Sequence, residues 1–289
     1  MGKKKAASKA EKVSMGELLR CPPGAVDLGE YPSGATPGIL EGKRAVAELM
    51  PDLGARLADL QERLYAWSTT TDTRRVLLVL QGMDTAGKGG IVNHVVGAVN
   101  PYGCKLVSFK SPTKEELAHG FLWRIRRALP PAGYLGVFDR SHYEDVLIAR
   151  VRELVPQGVW EGRYDEINKF EDELVADGCV VVKCFLHISP ETQKERLMAR
   201  LDDPTKHWKY NPADVDERLL WPEYQKAYEA ALERCNTAAA PWHIVPSDRK
   251  WYRNYAIMRL LIEAFERLDL DWPTGGFDLA VEKARVAAS

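Results

Sequence analysis

One segment of the chain limits its fold more than any other: an apolar run that leads directly into a glycine-rich loop and a lysine. The run covers residues 76–80, and the loop with its lysine reads Gly82-Met-Asp-Thr-Ala-Gly-Lys88-Gly-Gly90. This order predicts a buried strand, a tight turn and a helix beginning, where backbone N–H groups and the helix N-terminus attract phosphate. A lysine at this position reaches the outer phosphates. The segment therefore predicts a phosphate-binding P-loop (Walker A); the alternative is a glycine-rich turn that binds nothing.

The loop departs from the usual P-loop pattern at two positions. Gly89 follows the lysine, where a Ser or Thr hydroxyl normally holds Mg²⁺, and Asp84 places an acid inside the loop. A carboxylate beside a bound phosphate repels it unless a cation lies between them. Asp84 is therefore a candidate Mg²⁺ ligand, and the alternative is a turn-stabilising aspartate that accepts local N–H bonds.

Composition indicates a globular protein without a strong overall charge. The 289 residues carry a net charge of −1, so a polyanion would have to bind a local patch, and nucleic acid is not indicated as a partner. The five cysteines form no Cys-x-x-Cys pair, which favours reduced thiols in a cytoplasmic protein. No stretch reaches the roughly 18 apolar residues of a membrane span, and the basic start lacks the apolar centre of a signal peptide.

Strand and helix patterns alternate along the chain. Strands are expected at 76–80, 105–109, 134–138, 179–187 and 242–245. Helices are expected at 41–67 (started or kinked by Pro51), 113–129, 164–176, from the Ser189 cap to Leu201, and at 213–234 and 251–268. Strands that each lead into a helix predict an α/β fold with one parallel five-stranded sheet and helices on both faces. Residues 1–40 suggest a mobile basic tail and an extended arm, and residues 41–289 a single domain.

The third strand ends in an acid and an arginine. Ligands of parallel α/β sheets bind at the carboxyl ends of the strands, so Asp139 is a candidate second Mg²⁺-linked carboxylate. Arg140 would face the same crevice and stabilise charge on a phosphoryl group in transit. The nearby His142 does not indicate a metal cluster, because no second histidine or cysteine lies at ligand spacing. The alternative is a helix N-terminus whose acids are favoured by the dipole.

Two further groups of cations follow in the sequence. Arg196 and Arg200 are four residues apart and share a helix face, and Lys206 and Lys209 lie in the loop that follows. They predict a phosphate-closing lid at about residues 200–218; the alternative is a solvated helix face. A third basic cluster, which hints at a polyanion longer than a triphosphate, contains Arg124, Arg126 and Arg127.

Four motifs in this order are similar to the polyphosphate kinase 2 family. They are the loop at residues 82–90, Phe138-Asp-Arg-Ser-His-Tyr-Glu-Asp-Val146, Arg200-Leu-Asp-Asp-Pro-Thr-Lys-His-Trp-Lys209 and Trp251-Tyr-Arg-Asn254. The resemblance spans about residues 40–268. It implies a thymidylate-kinase-like P-loop fold and a homo-oligomer, a tetramer or a dimer. The activity it implies is Mg²⁺-dependent phosphoryl transfer, with Mn²⁺ as a substitute, between inorganic polyphosphate and a purine nucleotide.

The resemblance also assigns roles to the candidate site residues. Asp84 and Asp139 match the metal-linked acids, Lys88 and Arg140 the phosphate-binding cations, and Arg200 the lid arginine. We assign the remaining phosphate-binding positions to the loop and the nearby basic clusters: Gly82, Met83, Thr85, Ala86, Gly87, Gly89, Gly90, Arg196, Lys206, Lys209, Arg126 and Arg127.

The sequence thus predicts a polyphosphate:nucleotide phosphotransferase. The form Ser-His-Tyr-Glu-Asp at residues 141–145 resembles members that accept monophosphates, so AMP is the expected acceptor and ADP the second. One rival is an ATP-dependent kinase for a nucleoside monophosphate or another small molecule, against which Gly89 speaks. The other is a non-enzymatic P-loop protein that binds phosphate or acts as a switch.

Overall fold

A computed structural model describes residues 14–289. Its centre is a five-stranded sheet in the order β2-β3-β1-β4-β5, in which every strand pair is parallel. The strands are β1 (Arg75–Gln81), β2 (Cys104–Ser108), β3 (Leu135–Asp139), β4 (Cys179–His187) and β5 (Trp242–Pro246). The predicted parallel five-stranded fold is confirmed, and the predicted bounds of β4 are the observed ones.

Helices cover both faces of the sheet. They are α1 (Met15–Leu19), α2 (Lys43–Trp67), α3 (Lys88–His94), α4 (Lys114–Leu117), α5 (Leu122–Ala128), α6 (Ile148–Val151), α7 (Gln157–Ala176), α8 (Pro190–Leu201), α9 (Ala213–Leu219), α10 (Trp221–Arg234), α11 (Lys250–Glu266) and α12 (Leu279–Ala287). On one face α11 packs against α2, α3 and the central strands. On the other face α7 packs against β4. Successive side chains of a strand point to opposite faces of the sheet. Because helices cover both faces, all seven residues of β1 are buried.

Several predicted helices differ from the observed ones. The single helix expected at 113–129 is two short helices with Gly120 between them, and the one expected at 213–234 divides where Pro222 lies in the first turn of α10. Proline lacks the N–H that would continue a preceding helix, which explains the second break. Pro51, in contrast, lies inside the unbroken α2. Helix α12 was not predicted.

Residues 14–40 differ from the expected tail and arm. Ser14 caps α1, and the carboxylate of Glu263 in α11 accepts hydrogen bonds from the backbone N–H groups of Met15 and Gly16, at 2.7 and 2.9 Å. The backbone N–H of Cys21 donates to the carbonyl of Trp242 in β5 at 2.8 Å. The apolar residues of this segment belong to the main core: Met15, Leu19, Cys21, Val26, Leu28 and Ile39. The basic residues 1–13 of the predicted tail lie outside the described part.

Two further sequence expectations concern the membrane and the thiols. No helix among residues 14–289 combines the length and apolar character that a membrane span requires. The five cysteines carry free thiols, and four of them are buried. Burial raises the pKa of Cys179 and of Cys235 to about 12 in each case, so these thiols are protonated and unreactive near neutral pH.

His243 in β5 is a buried neutral histidine. Its Nδ1 lies 3.1 Å from the carbonyl oxygen of Lys183. Burial lowers the pKa of His243 to about 4, and the charges of Arg20 and Arg267 act in the same direction. An unfolded histidine titrates near the ordinary value of 6.5, so between these values the unfolded chain binds more protons than the folded one. Stability is therefore complete above the higher value and decreases as the pH falls toward the lower one.

Replacing His243 with Asn should flatten this acid response while keeping a donor near Nδ1. We expect the loss of unfolding free energy between about pH 7 and about pH 4.5 to be about 2 kcal/mol smaller in the variant than in the wild type. Urea denaturation at the two pH values measures the difference. The exposed His94 provides the control, and a His243→Asn variant with the same pH response as His94→Asn would contradict the assignment.

Candidate active site

The glycine-rich loop follows β1 and bends sharply before α3. Gly82, Thr85 and Gly87 have positive φ angles of 152°, 64° and 113°. A Cβ on Gly82 would lie 2.8 Å from the carbonyl oxygen of Leu186, so only glycine fits there. Thr85 adopts a backbone conformation that is unfavourable for a residue with a side chain, and such strain persists where the surroundings impose it. The loop therefore has the tight backbone that a phosphate site needs.

Lys88 begins α3 beneath this turn. Its Nζ donates a hydrogen bond to the carbonyl oxygen of Gly82 at 2.8 Å, and the side chain is buried. Burial lowers the pKa of Lys88 and Arg140 lowers it further, whereas the charges of Asp84 and Asp139 oppose the shift. The structure thus brings the lysine, the arginine and both predicted acids into one electrostatic environment.

Arg140 forms an ion pair with Asp84 across the loop. The Arg140 Nη2 donates to the Asp84 Oδ1 at 2.7 Å. Burial acts to raise the pKa of Asp84, but Lys88 and Arg140 lower it by more, so the carboxyl stays ionised. Arg140 has a φ of 65°, and its N–H donates to the carbonyl of Leu80 at 3.1 Å. The register that pairs Leu80 with Asp139 therefore fixes where this strained arginine lies.

A buried ion cluster anchors the turn after β3. Lys183, fully buried in β4, donates from its Nζ to the Glu171 carboxylate at 2.6 Å and to the Tyr143 hydroxyl at 2.8 Å. The other Glu171 oxygen lies 3.1 Å from the His142 Nε2. His142 and Tyr143 lie two and three residues after Arg140, so this cluster fixes the turn that presents Arg140.

An acid-rich cavity of about 180 Å³ opens between the loop, this turn and helices α9 and α10. Its wall includes Asp84, Arg140, Glu144, Asp214, Tyr224 and Tyr228. Burial raises the pKa of Glu144, an effect that Arg140 and Lys88 oppose. Asp214, Tyr224 and Tyr228 were not predicted, because no sequence pattern shows that α9 and α10 return to the loop.

The predicted lid cations take several positions. The Arg200 Nη1 donates to the Asp214 carboxylate at 3.1 Å and to the Lys209 carbonyl at 3.0 Å, which links the end of α8 to the cavity wall. Lys206 pairs with Asp203 at 2.6 Å. The Lys209 ammonium lies 4.8 Å from the ring centre of Trp208. The structure therefore brings Arg200 to the site and leaves both lysines exposed beside it.

Arg196 does not have the predicted phosphate-facing position. Its Nη1 donates to the carbonyls of Thr85 and Ala86 at 2.8 and 3.1 Å, and its Nη2 donates to the carbonyls of Ser247 and Asp248 at 2.6 and 3.0 Å. Both Nη atoms are thus bound to backbone oxygens. The spacing of four residues correctly puts Arg196 and Arg200 on one helix face, but Arg196 lies at the carbonyl side of the loop and supports it.

The predicted polyanion cations Arg126 and Arg127 also lie elsewhere. Arg126 pairs with Glu173 near the end of α7 at 2.7 Å, and Arg127 stacks 4.7 Å from the ring of Trp123. Lys105, near the start of β2, donates to the Arg127 carbonyl at 3.4 Å. This cluster is therefore at the amino ends of the strands, whereas the loop follows the carboxyl ends. The structure therefore does not bring Arg126 and Arg127 to the loop, and their role in phosphate binding stays a prediction.

A P-loop after the central strand, with an acid–arginine pair and a second acid at the neighbouring strand end, defines a P-loop phosphotransferase. The family model described as Polyphosphate kinase 2 matches residues 43–271. The chain belongs to the polyphosphate kinase 2 family.

Individual relatives agree with this assignment. The chain is 44% identical over 252 residues to an AMP/ADP-polyphosphate phosphotransferase of Meiothermus ruber, which covers 87% of this chain and 93% of the relative. It is 42% identical to an ADP-polyphosphate phosphotransferase of Rhodopseudomonas palustris over 86% of this chain and 88% of the relative. The crystal structure of polyphosphate kinase 2 from Arthrobacter aurescens TC1 matches with a TM-score of 0.93 and 49% identity, covering 96% and 98% of the two chains.

Replacing Arg200 with Ala tests whether this arginine acts on the substrate. We expect kcat to fall by about 10²–10³, the loss typical of one missing electrostatic group. The unfolding midpoint should change little, because an incompletely buried ion pair contributes about 1 kcal/mol or less. Steady-state kinetics and thermal unfolding measure the two quantities. Arg56→Ala, which removes another paired arginine far from the loop, is the matched control; equal kcat in both variants would show that Arg200 is only a surface residue.

Proposed function

We propose that this protein transfers a phosphoryl group from inorganic polyphosphate to AMP, with ADP as a second acceptor. The observation that carries the proposal is the ion pair between Asp84 of the P-loop and Arg140 after β3, in a loop that has Gly89 in place of the usual hydroxyl. An ordinary ATP site would use that hydroxyl to hold Mg²⁺. The names of the two relatives, from Meiothermus ruber and Rhodopseudomonas palustris, include polyphosphate, and the first also names AMP and ADP.

The acids of the site fit a magnesium ion. Among residues 14–289 no group of three or more His, Cys, Asp or Glu side chains could hold a metal. Magnesium commonly takes one or two carboxylates and completes its shell with water and substrate phosphates, which suits Asp84 and Asp139, whose charges both act on Lys88. A bound Mg²⁺, or Mn²⁺ as a substitute, would neutralise phosphate charge and align the donor with the acceptor.

The residues of the site have separate roles in binding phosphate and in stabilising charge. Loop N–H groups and the start of α3 bind the donor phosphates, and Lys88 and Arg140 stabilise the charge that spreads over the transferred group. Arg200 completes this set when the predicted lid, at about residues 200–218, closes and excludes water. Binding both substrates in line accounts for catalysis, and no covalent intermediate is needed.

The cavity beside the loop suits the nucleotide. Tyr224 and Tyr228 offer aromatic surface to a purine base, and Arg140 lies where the acceptor phosphate would meet the donor. The excess of carboxylates in the wall favours an acceptor of low charge, such as a monophosphate, or one that arrives with a metal ion. A homo-oligomer in the cytoplasm and a single domain over residues 41–289 remain predictions.

A product assay tests this function. Enzyme mixed with polyphosphate, Mg²⁺ and AMP, without ATP, should form ADP and then ATP, and a chelator should stop the reaction until Mg²⁺ is restored. Asp139→Asn should lower kcat by about 10²–10³, because one of the two acids beside the phosphates is lost. Chromatography of the nucleotides measures both effects. Phosphorylation of ADP without phosphorylation of AMP would show that the acceptor is ADP. Transfer that required ATP as the donor would favour the rival kinase.

A group of cations beside the loop indicates where the polyphosphate chain continues. Lys250 begins α11 and is exposed. Partial burial lowers the pKa of Lys250, and the charges of Arg196, Arg253 and Lys206 act in the same direction, so four cations lie close together here. The exposed members of this group are Lys206 and Lys250, and we place the polyphosphate that continues beyond the loop along these two lysines.

Replacing Lys250 with Gln should therefore weaken the use of long chains most. Each contact with a chain phosphate adds affinity that salt reduces. We expect KM to rise roughly threefold or more for long polyphosphate at low salt, and less for tripolyphosphate. The double variant Arg126→Gln with Arg127→Gln is the control, because these cations lie at the other end of the sheet. An equal change of KM for both donors would contradict this path.

A further inference from the structure

Arg253 is a buried arginine that lies directly against the phosphate loop. It projects from α11, and only 2% of the residue is exposed. Its Nη1 donates to the Ala86 carbonyl at 3.1 Å, and its Nη2 donates to the Asn254 Oδ1 at 2.8 Å. No carboxylate among residues 14–289 forms an ion pair with Arg253, and the charge of Arg196 acts on it from nearby. Arg253 thus brings an uncompensated cation to the loop.

The guanidinium fills the space that two glycine side chains would take. A Cβ built on Gly90 would lie 2.6 Å from the Arg253 Nη2, and a Cβ on Gly87 would overlap the Nη1. Real Cβ atoms do not approach other atoms so closely, so both glycines are needed for Arg253 to lie flat on the loop backbone. The arginine and these glycines form one packed unit, which we call the loop clamp.

The loop clamp also directs the backbone dipoles. Arg253 and Arg196 both donate to the Ala86 carbonyl, at 3.1 Å each, and Arg196 also binds the Thr85 carbonyl. The N–H groups of Ala86 and Gly90 donate to the carbonyls of Met83 and Gly87. Carbonyls held toward the two cations leave the remaining loop N–H groups to point toward a phosphate. Two guanidiniums on the carbonyl side therefore orient the groups that bind the donor.

The electrostatic state of the clamp is unfavourable in the free protein. Burial, with a smaller contribution from the charge of Arg196, lowers the pKa of Arg253 to about 10. A buried charge without a counter-charge destabilises a folded protein. A polyanion on the far side of the loop would supply that counter-charge, because the attraction is strong across a water-poor loop.

We propose that Arg253 is a positioning residue for donor binding: it fixes the loop backbone through Gly87 and Gly90 and couples its uncompensated charge to the donor polyanion. The inference rests on the proposed function for the identity of the donor. It assigns to Arg253 a share of donor affinity without direct contact with the transferred group.

Kinetics and thermal unfolding of Arg253→Met and Arg253→Lys test this role. Methionine keeps part of the shape and loses the charge. We expect Arg253→Met to raise the KM for polyphosphate at least tenfold, with the KM for AMP within twofold, and Arg253→Lys to restore part of the loss. The midpoint without anion should stay near that of the wild type, whereas the increase produced by tripolyphosphate should largely disappear. A lower midpoint without anion, with an unchanged increase on adding tripolyphosphate, would show a purely structural residue.

A double-mutant cycle keeps the test valid if Arg253→Met folds poorly. Gly90→Ala should displace the guanidinium and raise the KM for polyphosphate, and it should have a much smaller effect when combined with Arg253→Lys. Additive effects would contradict the contact. The shift of the unfolding midpoint by tripolyphosphate also separates this proposal from the proposed function. An enzyme that used only ATP as donor would refute the proposed function. The loss of anion stabilisation in Arg253→Met would still support the role of Arg253.

Discussion

The opposition of charge at the carboxyl end of β1 is the interaction on which the rest of the site depends. Lys88 is buried between acids, Asp84 stays ionised because cations surround it, and Arg140 holds a strained backbone while it pairs with that acid. Lys88 would not be stable alone in its buried position, since an unpaired buried charge is strongly unfavourable. The parallel pairing of β1 with β3 brings them together, and the ion cluster around Lys183 fixes the turn between them.

Much of the fold could be predicted because the local sequence patterns of the chain agree with the strands and helices that form. Continuous apolar runs such as β4 identify buried parallel strands, and the P-loop identifies the switch from strand to helix. Residues 14–40 could not be predicted from the pattern, because their apolar residues are scattered among glycines and prolines without a helix or strand period. Their burial depends on distant partners, such as Glu263 and Trp242, that local sequence does not reveal.

The residues of the site also divide into those that the sequence could predict and those that it could not. Asp84, Lys88, Asp139 and Arg140 could be predicted, because strand ends and the loop motif fix their place within a few residues. Helical spacing shows which arginines share a face but not which part of the molecule that face contacts. The spacing therefore did not show that Arg196 lies at the loop carbonyls, or that Arg126 lies against Glu173. The walls of the nucleotide cavity and the loop clamp come from α10 and α11, far along the chain, and only tertiary structure brings them to the loop.

The packing around Gly89 and Gly90 makes these two loop glycines unequal targets for sequence change. A Cβ at Gly89 meets no neighbour within 4 Å, whereas a Cβ at Gly90 would lie 2.6 Å from a guanidinium nitrogen. A lineage or a designer could therefore add the hydroxyl of an ordinary P-loop in one step. Any side chain at the next position would displace the Arg253 guanidinium from the loop backbone. One arginine on a remote helix thus makes two adjacent glycines respond differently to substitution.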